Sequence, residues 1–410
     1  MSISHLVFLL AGMALMTVVG VVLPSIGWVH VSLGSKPDAS SPKPTAQSST
    51  VQRANEGPWG RLEYTRFALE EPADYLPDST RRLETLPWVF EKFTTRQVEE
   101  LFRSVKVSND VRQRLLDPAH WKIRAGGVTV QPSMELLRDL GAAARQQIYA
   151  ILNDSELNYA HRNPFRFRLD GFDEWFANSE LSDEHLELLR SLTFTNQGGA
   201  ICIVDLDVLQ RTFTTNEFQR VFESLYSEPC LLMDLQVNSA SDVEALAKYW
   251  GRGGREATIL PVLRSLARRP GGGSLNIAQL LPPFAQSRLY TFSPPTTNAP
   301  ASGPDCFWTA MNFFNVHPDP GLSNFQYALD VLNRDYSDAS GPKLFGDLIL
   351  LLDERRQTIH ACVYVADDVV FTKNGADFLQ PWALMKINDM LAHYATDQRL
   401  TLVTLRPRKT

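Results

Sequence analysis

The first 32 residues contain an apolar run that restricts where this end of the chain can lie. From Leu6 to Leu23 every residue except Thr17 is apolar or glycine, and apolar character resumes at 26–31. A bilayer span needs about 20 such residues, whereas the core of a signal peptide has about 7–15. The sequence therefore predicts an uncleaved transmembrane anchor over residues 1–32 and favours it over a removed signal peptide.

The segment that follows the apolar run is polar and rich in small residues. Residues 33–56 are rich in Ser, Pro, Ala and Lys, a composition that cannot bury enough surface to become ordered. We expect a flexible tether over 33–75 and a single-pass membrane protein whose soluble part is periplasmic or extracellular. Lys36 and Lys43 favour the cytoplasmic side under the positive-inside rule, so the sequence leaves the side open.

Composition excludes several classes of protein. The chain has 410 residues, which suits two domains, and a net charge of −6, which argues against a nucleic-acid binder with a basic face. Its four cysteines form no CxxC pair or Cys/His cluster with zinc spacing, so no metal or other cofactor is expected. Cys202, Cys230 and Cys362 stand in apolar surroundings, which indicates buried thiols.

The middle of the chain, residues 76–292, carries signals of helices. Capping-box patterns begin at Thr94, Thr214 and Ser241, and apolar residues at helical spacing follow each of them. Another helix is predicted over 132–153, and a short strand within 200–209. We expect a mainly helical domain, for which a protein partner is one candidate role.

A proline-rich segment separates this region from the last quarter of the chain. Residues 293–304 contain four prolines and predict a linker. After it the pattern mixes helices with strands, so that the overall fold class is α+β. The predicted elements of residues 305–410 are a helix from Cys306, a helix over 323–336, a strand over 346–352, a hairpin of 359–366 and 369–373, a helix from Pro381 to Tyr394, and a strand over 399–407.

Three short motifs in this last segment occur in a recognisable order. Asp305-Cys306 opens a helix, Gly346-Asp347-Leu348-Ile349 leads into a strand, and His360-Ala361-Cys362-Val363-Tyr364 begins another. In this order and spacing the segment resembles the NlpC-type branch of the papain-like cysteine peptidases. The resemblance covers roughly the last 105 residues and implies a papain-like α+β domain over 305–410.

The resemblance also implies roles for individual residues. Cys306 would be the nucleophile, its thiolate favoured by the helix N-terminus, and His360 would be the general base and acid. A third group must orient the imidazole, and NlpC-type enzymes place a second His about a dozen residues after the first. This chain has Thr372 there and Asn374 two residues on, so we expect Asn374 as the orienting residue with Thr372 as the alternate.

The implied function is hydrolysis of an amide or peptide bond through a Cys306 thioester. Peptide or amide substrates are expected, with cell-wall peptides (peptidoglycan) as the commonest theme of the family. Two alternatives stay open, because the second His is missing: a catalytically inactive papain-like fold that serves as a binding or scaffolding module, and an acyltransferase on the same fold. A structural role is expected for Asp347 and a packing role for Trp308.

Overall fold

A computed structural model of the chain describes residues 51–177, 179–295, 304–396 and 399–408. The predicted anchor over 1–32, the first part of the predicted tether (33–50) and most of the predicted linker (296–303) lie outside the described residues.

The helices of the described chain are too short to cross a bilayer. The longest, Thr215–Tyr226 and Glu256–Ala267, have 12 residues each, whereas a span needs about 20. Within residues 51–408, as far as they are described, no helix has both the length and the apolar character that crossing requires. This finding corrects the prediction of a membrane-anchored fold. It also corrects the predicted localisation, a single-pass membrane protein with a periplasmic or extracellular soluble part. The fold class is α+β.

The strands, in chain order, are β1 (Gln52–Arg53), β2 (Arg61–Leu69), β3 (Trp88–Glu91), β4 (Trp121–Arg124), β5 (Gly127–Val130), β6 (Phe165–Phe167), β7 (Phe194–Thr195), β8 (Ile201–Ile203), β9 (Glu228–Val237), β10 (Gly273–Asn276), β11 (Tyr336–Asp338), β12 (Leu348–Leu352), β13 (Thr358–Ala366), β14 (Val369–Lys373), β15 (Trp382–Lys386) and β16 (Thr401–Pro407).

The α-helices are α1 (Thr95–Ser104), α2 (Asn109–Leu115), α3 (Met134–Asp139), α4 (Ala142–Leu152), α5 (Tyr159–Arg162), α6 (Phe172–Trp175), α7 (Asp183–Ser191), α8 (Leu206–Thr212), α9 (Thr215–Tyr226), α10 (Val243–Trp250), α11 (Glu256–Ala267), α12 (Pro283–Arg288), α13 (Cys306–Met311), α14 (Phe325–Asp335) and α15 (Ile387–His393).

These elements form two compact units. The first unit comprises the described residues of 76–226 and 395–397, and the second those of 51–75, 227–394 and 398–410. The boundary after Tyr226 differs from the one predicted at 293–304, because β9 and the elements after it belong to the second unit.

The first unit is not the mainly helical domain that the sequence predicted. It contains two three-stranded antiparallel sheets, in the orders β3-β5-β4 and β6-β8-β7, in addition to its helices. In β3 and β5 the buried residues alternate, and Trp88 pairs with Val130 while Phe90 pairs with Val128. That period of two specifies strands even though the runs are only four residues long.

The predicted helix starts are partly confirmed. The capping box at Thr94 is present, and Thr214 and Glu217 exchange the hydrogen bonds of a second one. At the third site Asp242, rather than Ser241, caps the helix by accepting from the Ala245 N–H at 2.9 Å. The helix predicted over 132–153 is broken into α3 and α4 at Gly141.

Part of the predicted tether is an ordered strand. β2 pairs with β9 along its whole length, from Arg61↔Gln236 to Leu69↔Glu228, in a four-stranded antiparallel sheet of order β1-β2-β9-β10. The side chains of Leu62 and Tyr64 are buried there. The prediction of a flexible segment is therefore wrong for residues 61–69, whose alternating apolar residues are buried against the second unit's core.

The second sheet of this unit has six antiparallel strands in the order β11-β16-β12-β13-β14-β15. The predicted helix over 323–336, the strand over 346–352, the hairpin and the last strand are confirmed as α14, β12, β13 with β14, and β16. The helix predicted from Pro381 is wrong for residues 382–386. They form β15, which pairs with β14 from Lys373↔Trp382 to Val369↔Lys386, and α15 starts only at Ile387.

The six-stranded sheet is buried on both faces. Alternate residues of β12 and β13 belong to two separate apolar clusters: Leu350 and Ala361 to one, Leu351 and Cys362 to the other. Helix α13 packs on the first face and α15 on the second. Because the side chains of β12, β14 and β15 are all buried, and those of β13 are buried except for the half-buried Ile359, the fold places polar residues of β13 and β14 in an apolar environment.

A fully buried carboxylate holds the central strands together. Asp347 precedes β12, and its Oδ2 accepts hydrogen bonds from Arg406 Nη2 at 2.6 Å and from the Leu344 N–H at 2.8 Å. Its Oδ1 accepts from Arg406 Nε at 2.9 Å and from Arg252 Nη1 at 3.3 Å. The carboxylate thus joins β12 to β16 and to the segment after α10, which confirms the structural role predicted for it.

We predict that Asp347→Ala lowers the free energy of unfolding of the full chain by about 3–5 kcal/mol, because the substitution leaves two partly buried arginines without their carboxylate. Asp338→Ala is the matched control, since this acid on β11 is exposed, and it should change the free energy by less than about 0.5 kcal/mol. Urea unfolding of both variants measures the difference. Equal effects of the two substitutions would show that the carboxylate network does not stabilise the sheet.

Candidate active site

Cys306 is the first residue of α13. The helix begins there because the side chain of Asp305 caps it, accepting a hydrogen bond from the Trp308 N–H at 2.7 Å. The backbone N–H groups of Ala361, Phe307 and Cys306 itself are directed at the sulfur and lower its pKa. Burial, and after it the charge of Asp305, outweigh them and raise the pKa of the thiol to about 12. The thiol is therefore neutral at pH 7.

His360 lies in β13, opposite Leu351 of β12. Its side chain is fully buried, and its ring stacks on Tyr394 with the ring centres 4.4 Å apart. Burial, with a smaller effect of a charge on His393, lowers the pKa of His360 to about 3. At pH 7 the imidazole is thus neutral like the thiol, whereas the sequence analysis expected a Cys306 thiolate.

Thr372 contacts the imidazole directly. His360 Nε2 and Thr372 Oγ1 are 2.9 Å apart, and the threonine hydroxyl in turn donates to Asn374 Oδ1 at 3.3 Å. A hydroxyl that donates its one hydrogen to Asn374 can only accept from His360. This assignment places the proton on Nε2 and leaves Nδ1 as an acceptor, which is the form that a general base requires.

Thr372 and Asn374 therefore have the reverse of the roles expected for them at the imidazole. Thr372, the alternate, holds the ring, and Asn374 acts on it through Thr372, while the Asn374 amide contacts Met385 Sδ at 3.6 Å.

The sulfur and the imidazole are related through neighbouring residues of β13 rather than through a direct contact. β13 and β14 are paired from Ala366↔Val369 to Val363↔Phe371, and beyond that last pair the Ala361 N–H is directed at Cys306. The thiol reaches this point from α13, while His360, the residue before Ala361, stacks on Tyr394 next to α15. His360 Nδ1 is buried and has no hydrogen-bond partner among the described atoms. The structure thus places the thiol beside the residue that follows His360, without a hydrogen bond between the sulfur and Nδ1.

Lys373 is a buried cation that the sequence analysis missed. Its side chain is fully buried, and Nζ donates to the carbonyl oxygens of Gly375 at 3.1 Å and Asp377 at 2.5 Å. Burial lowers its pKa to about 8, while the charges of Asp377, Cys306 and Asp305 raise it, so a negative charge on the sulfur would stabilise the ammonium. The only signal in the sequence is a lysine that directly follows Thr372 in an otherwise apolar strand.

Two buried glutamates and His393 form a second group of titratable side chains, and His393 links this group to the imidazole. Glu228 Oε2 and His393 Nε2 are 3.1 Å apart, and His393 is the group whose charge lowers the pKa of His360. Both carboxyl oxygens of Glu71 are buried without a hydrogen-bond partner among the described atoms. Burial, and after it the charge of Glu228, raise the pKa of Glu71 to about 9. Sequence reasoning missed this group because Glu71 and Glu228 come together only through the β2–β9 pairing.

Trp308 has the packing role expected of it. Its ring packs edge-on against Phe284 with the centres 5.3 Å apart, and its Nε1 donates to the Asp319 carbonyl at 3.1 Å. In the part of the chain that the structure describes, no group of three or more His, Cys, Asp or Glu side chains is arranged to hold a metal ion. All four cysteines are free and buried.

Comparison with known proteins found no matching family model, no matching curated protein and no matching solved structure. The resemblance to NlpC-type peptidases therefore rests on the residues and motifs of this chain alone.

We predict a pH dependence of stability that originates at His360. Its pKa is lower in the folded state, about 3, than the ordinary value of 6.5, so its contribution to stability is complete above pH 6.5 and is lost as the pH falls towards 3. Between pH 7 and pH 4 the wild type should lose about 3 kcal/mol more stability than His360→Gln. The exposed His317→Gln should retain the wild-type dependence, and a parallel pH curve for His360→Gln would contradict a buried neutral imidazole.

Glu71 should produce the opposite dependence. Its pKa is higher in the folded state, about 9, than the ordinary 4.5, so its contribution to stability is present below pH 4.5 and is lost as the pH rises through 9. Between pH 4.5 and pH 8 the free energy of unfolding of the wild type should fall by about 4 kcal/mol more than that of Glu71→Gln. The control is Glu70→Gln, because this neighbouring side chain is exposed. Urea unfolding at the two pH values measures both variants, and identical behaviour of the two would refute the assignment.

Proposed function

We propose that this protein is a papain-like thiol hydrolase that cleaves an amide or peptide bond through a thioester on Cys306. The observation that carries the proposal is the arrangement around His360: Nε2 donates to Thr372 at 2.9 Å, Nδ1 is an unpartnered acceptor, and the next residue's N–H is directed at the Cys306 sulfur. Peptides are the proposed substrates, and cell-wall peptides are the class that the resemblance suggests.

The neutral state of both groups defines how the reaction would proceed. As the sulfur attacks the carbonyl carbon, the S–C bond forms and the thiol proton passes to His360 Nδ1, which must come within hydrogen-bond reach of the sulfur. His360 then gives this proton to the leaving nitrogen as the C–N bond breaks. Water, deprotonated by the same Nδ1, attacks the thioester, the carboxylic acid leaves, and the proton returns to the sulfur. Thr372 keeps the ring in the required tautomer throughout.

A binding or scaffolding module is the second candidate function. Cys306 is 4% exposed and His360 is not exposed at all, so a substrate cannot reach the sulfur without a local rearrangement. A papain-like fold that had lost its chemistry would have such a closed, neutral site. Acyl transfer would use the same thioester, with an alcohol or amine in place of water.

Acylation by p-nitrophenyl acetate separates these candidates. We predict a burst of p-nitrophenolate and an acetyl group on Cys306, located by peptide mass spectrometry. The burst should vanish in Cys306→Ala and become about 10²–10⁴-fold slower in His360→Gln, the usual contribution of a general base. Thr372→Val should slow it about 3- to 10-fold, the value of one hydrogen bond of about 1 kcal/mol.

Cys362→Ala is the matched control, because this second buried cysteine lies two residues after His360 in the same strand, and its burst should equal that of the wild type. Absence of an acyl-enzyme, or acylation that does not depend on His360, would reject the hydrolase and favour the binding module.

A further inference from the structure

An apolar groove adjoins the candidate nucleophile. It lies between α13, α14 and the strands β12 and β13, and its lining includes Asp305 and Phe307, the two residues that flank Cys306. Most of the remaining lining is aliphatic and comes from Met311, Leu329, Leu332 and Leu350.

The groove and the thiol converge on the same point of β13. Leu350 in the groove is the cross-strand partner of Ala361, and the Ala361 N–H is directed at the Cys306 sulfur. Thr358, at the other end of the lining, precedes His360 by two residues. A group bound in the groove would therefore lie beside the part of β13 whose Ala361 N–H is directed at the sulfur.

The dimensions of the groove limit what it can bind. Its volume is about 50 Å³, and since a single buried water needs about 10–15 Å³, it accommodates an aliphatic group of about four heavy atoms. The polar residues of the lining are Asp305, Ser323 and Thr358. Asp305 and Thr358 are already used or buried within the fold, since Asp305 caps α13 and Thr358 is 8% exposed.

We propose that this groove is the acyl-side specificity pocket of the site and binds a short aliphatic group, such as the side chain of Val or Leu or an acyl chain of four to five carbons. The inference rests on the proposed thioester chemistry and adds the substrate class to it. Longer chains exceed the groove, and charged groups would lose their hydration without gaining a partner.

The test is a series of p-nitrophenyl esters (acetate, butanoate, pentanoate and octanoate) with the full chain, each acylation rate constant divided by that of the ester with hydroxide. The normalised rate should rise about tenfold from acetate to butanoate, the value of burying two methylene groups. It should fall again at octanoate.

Two substitutions at one position should move this preference in opposite directions. Leu329 is half-buried in α14 and lines the groove. Leu329→Trp fills the groove and should abolish the gain in normalised rate from acetate to butanoate. Leu329→Ala enlarges it and should shift the optimum to longer chains. Gln326→Trp is the control, because this exposed residue of the same helix does not line the groove, and its chain-length profile should match the wild type.

The outcomes distinguish the two proposals. Absence of acylation by every ester overturns the hydrolase and this inference with it. Acylation that depends on Cys306 and His360 but not on chain length overturns only the pocket. A profile that Leu329→Trp and Gln326→Trp change equally also overturns it, because the effect then does not come from the groove.

Discussion

The position of His360 depends on the buried carboxylate of Asp347. This group fixes the start of β12 by bonding to Arg406 of β16, and its backbone continues the ladder, since the Tyr364 N–H donates to the Asp347 carbonyl at 2.9 Å. β12 in turn sets the register of β13, in which Leu351 faces His360. A slip of one residue in this pairing would turn His360 to the opposite face of the sheet, away from Thr372 and Tyr394. The ion pair therefore stabilises the sheet and also determines which side chains can meet in it.

Desolvation by burial determines the protonation states of Cys306 and His360 in the candidate site. Three backbone N–H groups favour the Cys306 thiolate, yet burial has the larger effect on its pKa. The same environment keeps His360 neutral, so the proton would move during the attack rather than before it. Lys373, with a pKa of about 8, is mostly protonated at pH 7, and its coupling to Cys306 favours negative charge as it develops on the sulfur. A buried site of this kind supports transient charge better than a permanent ion pair.

The sequence predicted the local elements of the last quarter well, because strand and helix periods there are clear: α14, β12, the β13–β14 hairpin and β16 all have the expected places. For the orienting residue it favoured Asn374 with Thr372 as the alternate, whereas it is Thr372 Oγ1 that lies 2.9 Å from His360 Nε2. It could not predict the β2–β9 pairing, since segments more than 150 residues apart carry no mutual signal, and Glu71 and Glu228 were missed with it.

Residues 382–386 were misassigned because a proline before an apolar run suits either a helix or a strand start. The pKa values depend on burial, which only the packed structure defines.

The closed site and the small groove together favour a selective enzyme over an indiscriminate one. A neutral thiol reacts slowly with small electrophiles, because only the thiolate is a good nucleophile. In the proposed reaction a ligand that fills the groove would bring its carbonyl towards the part of β13 whose Ala361 N–H is directed at the sulfur, within the electrostatic influence of Lys373. Binding of the aliphatic group would thus supply the free energy for bringing the sulfur within reach of Nδ1, so that the reaction rate should depend on the group in the groove more than on the intrinsic reactivity of the bond.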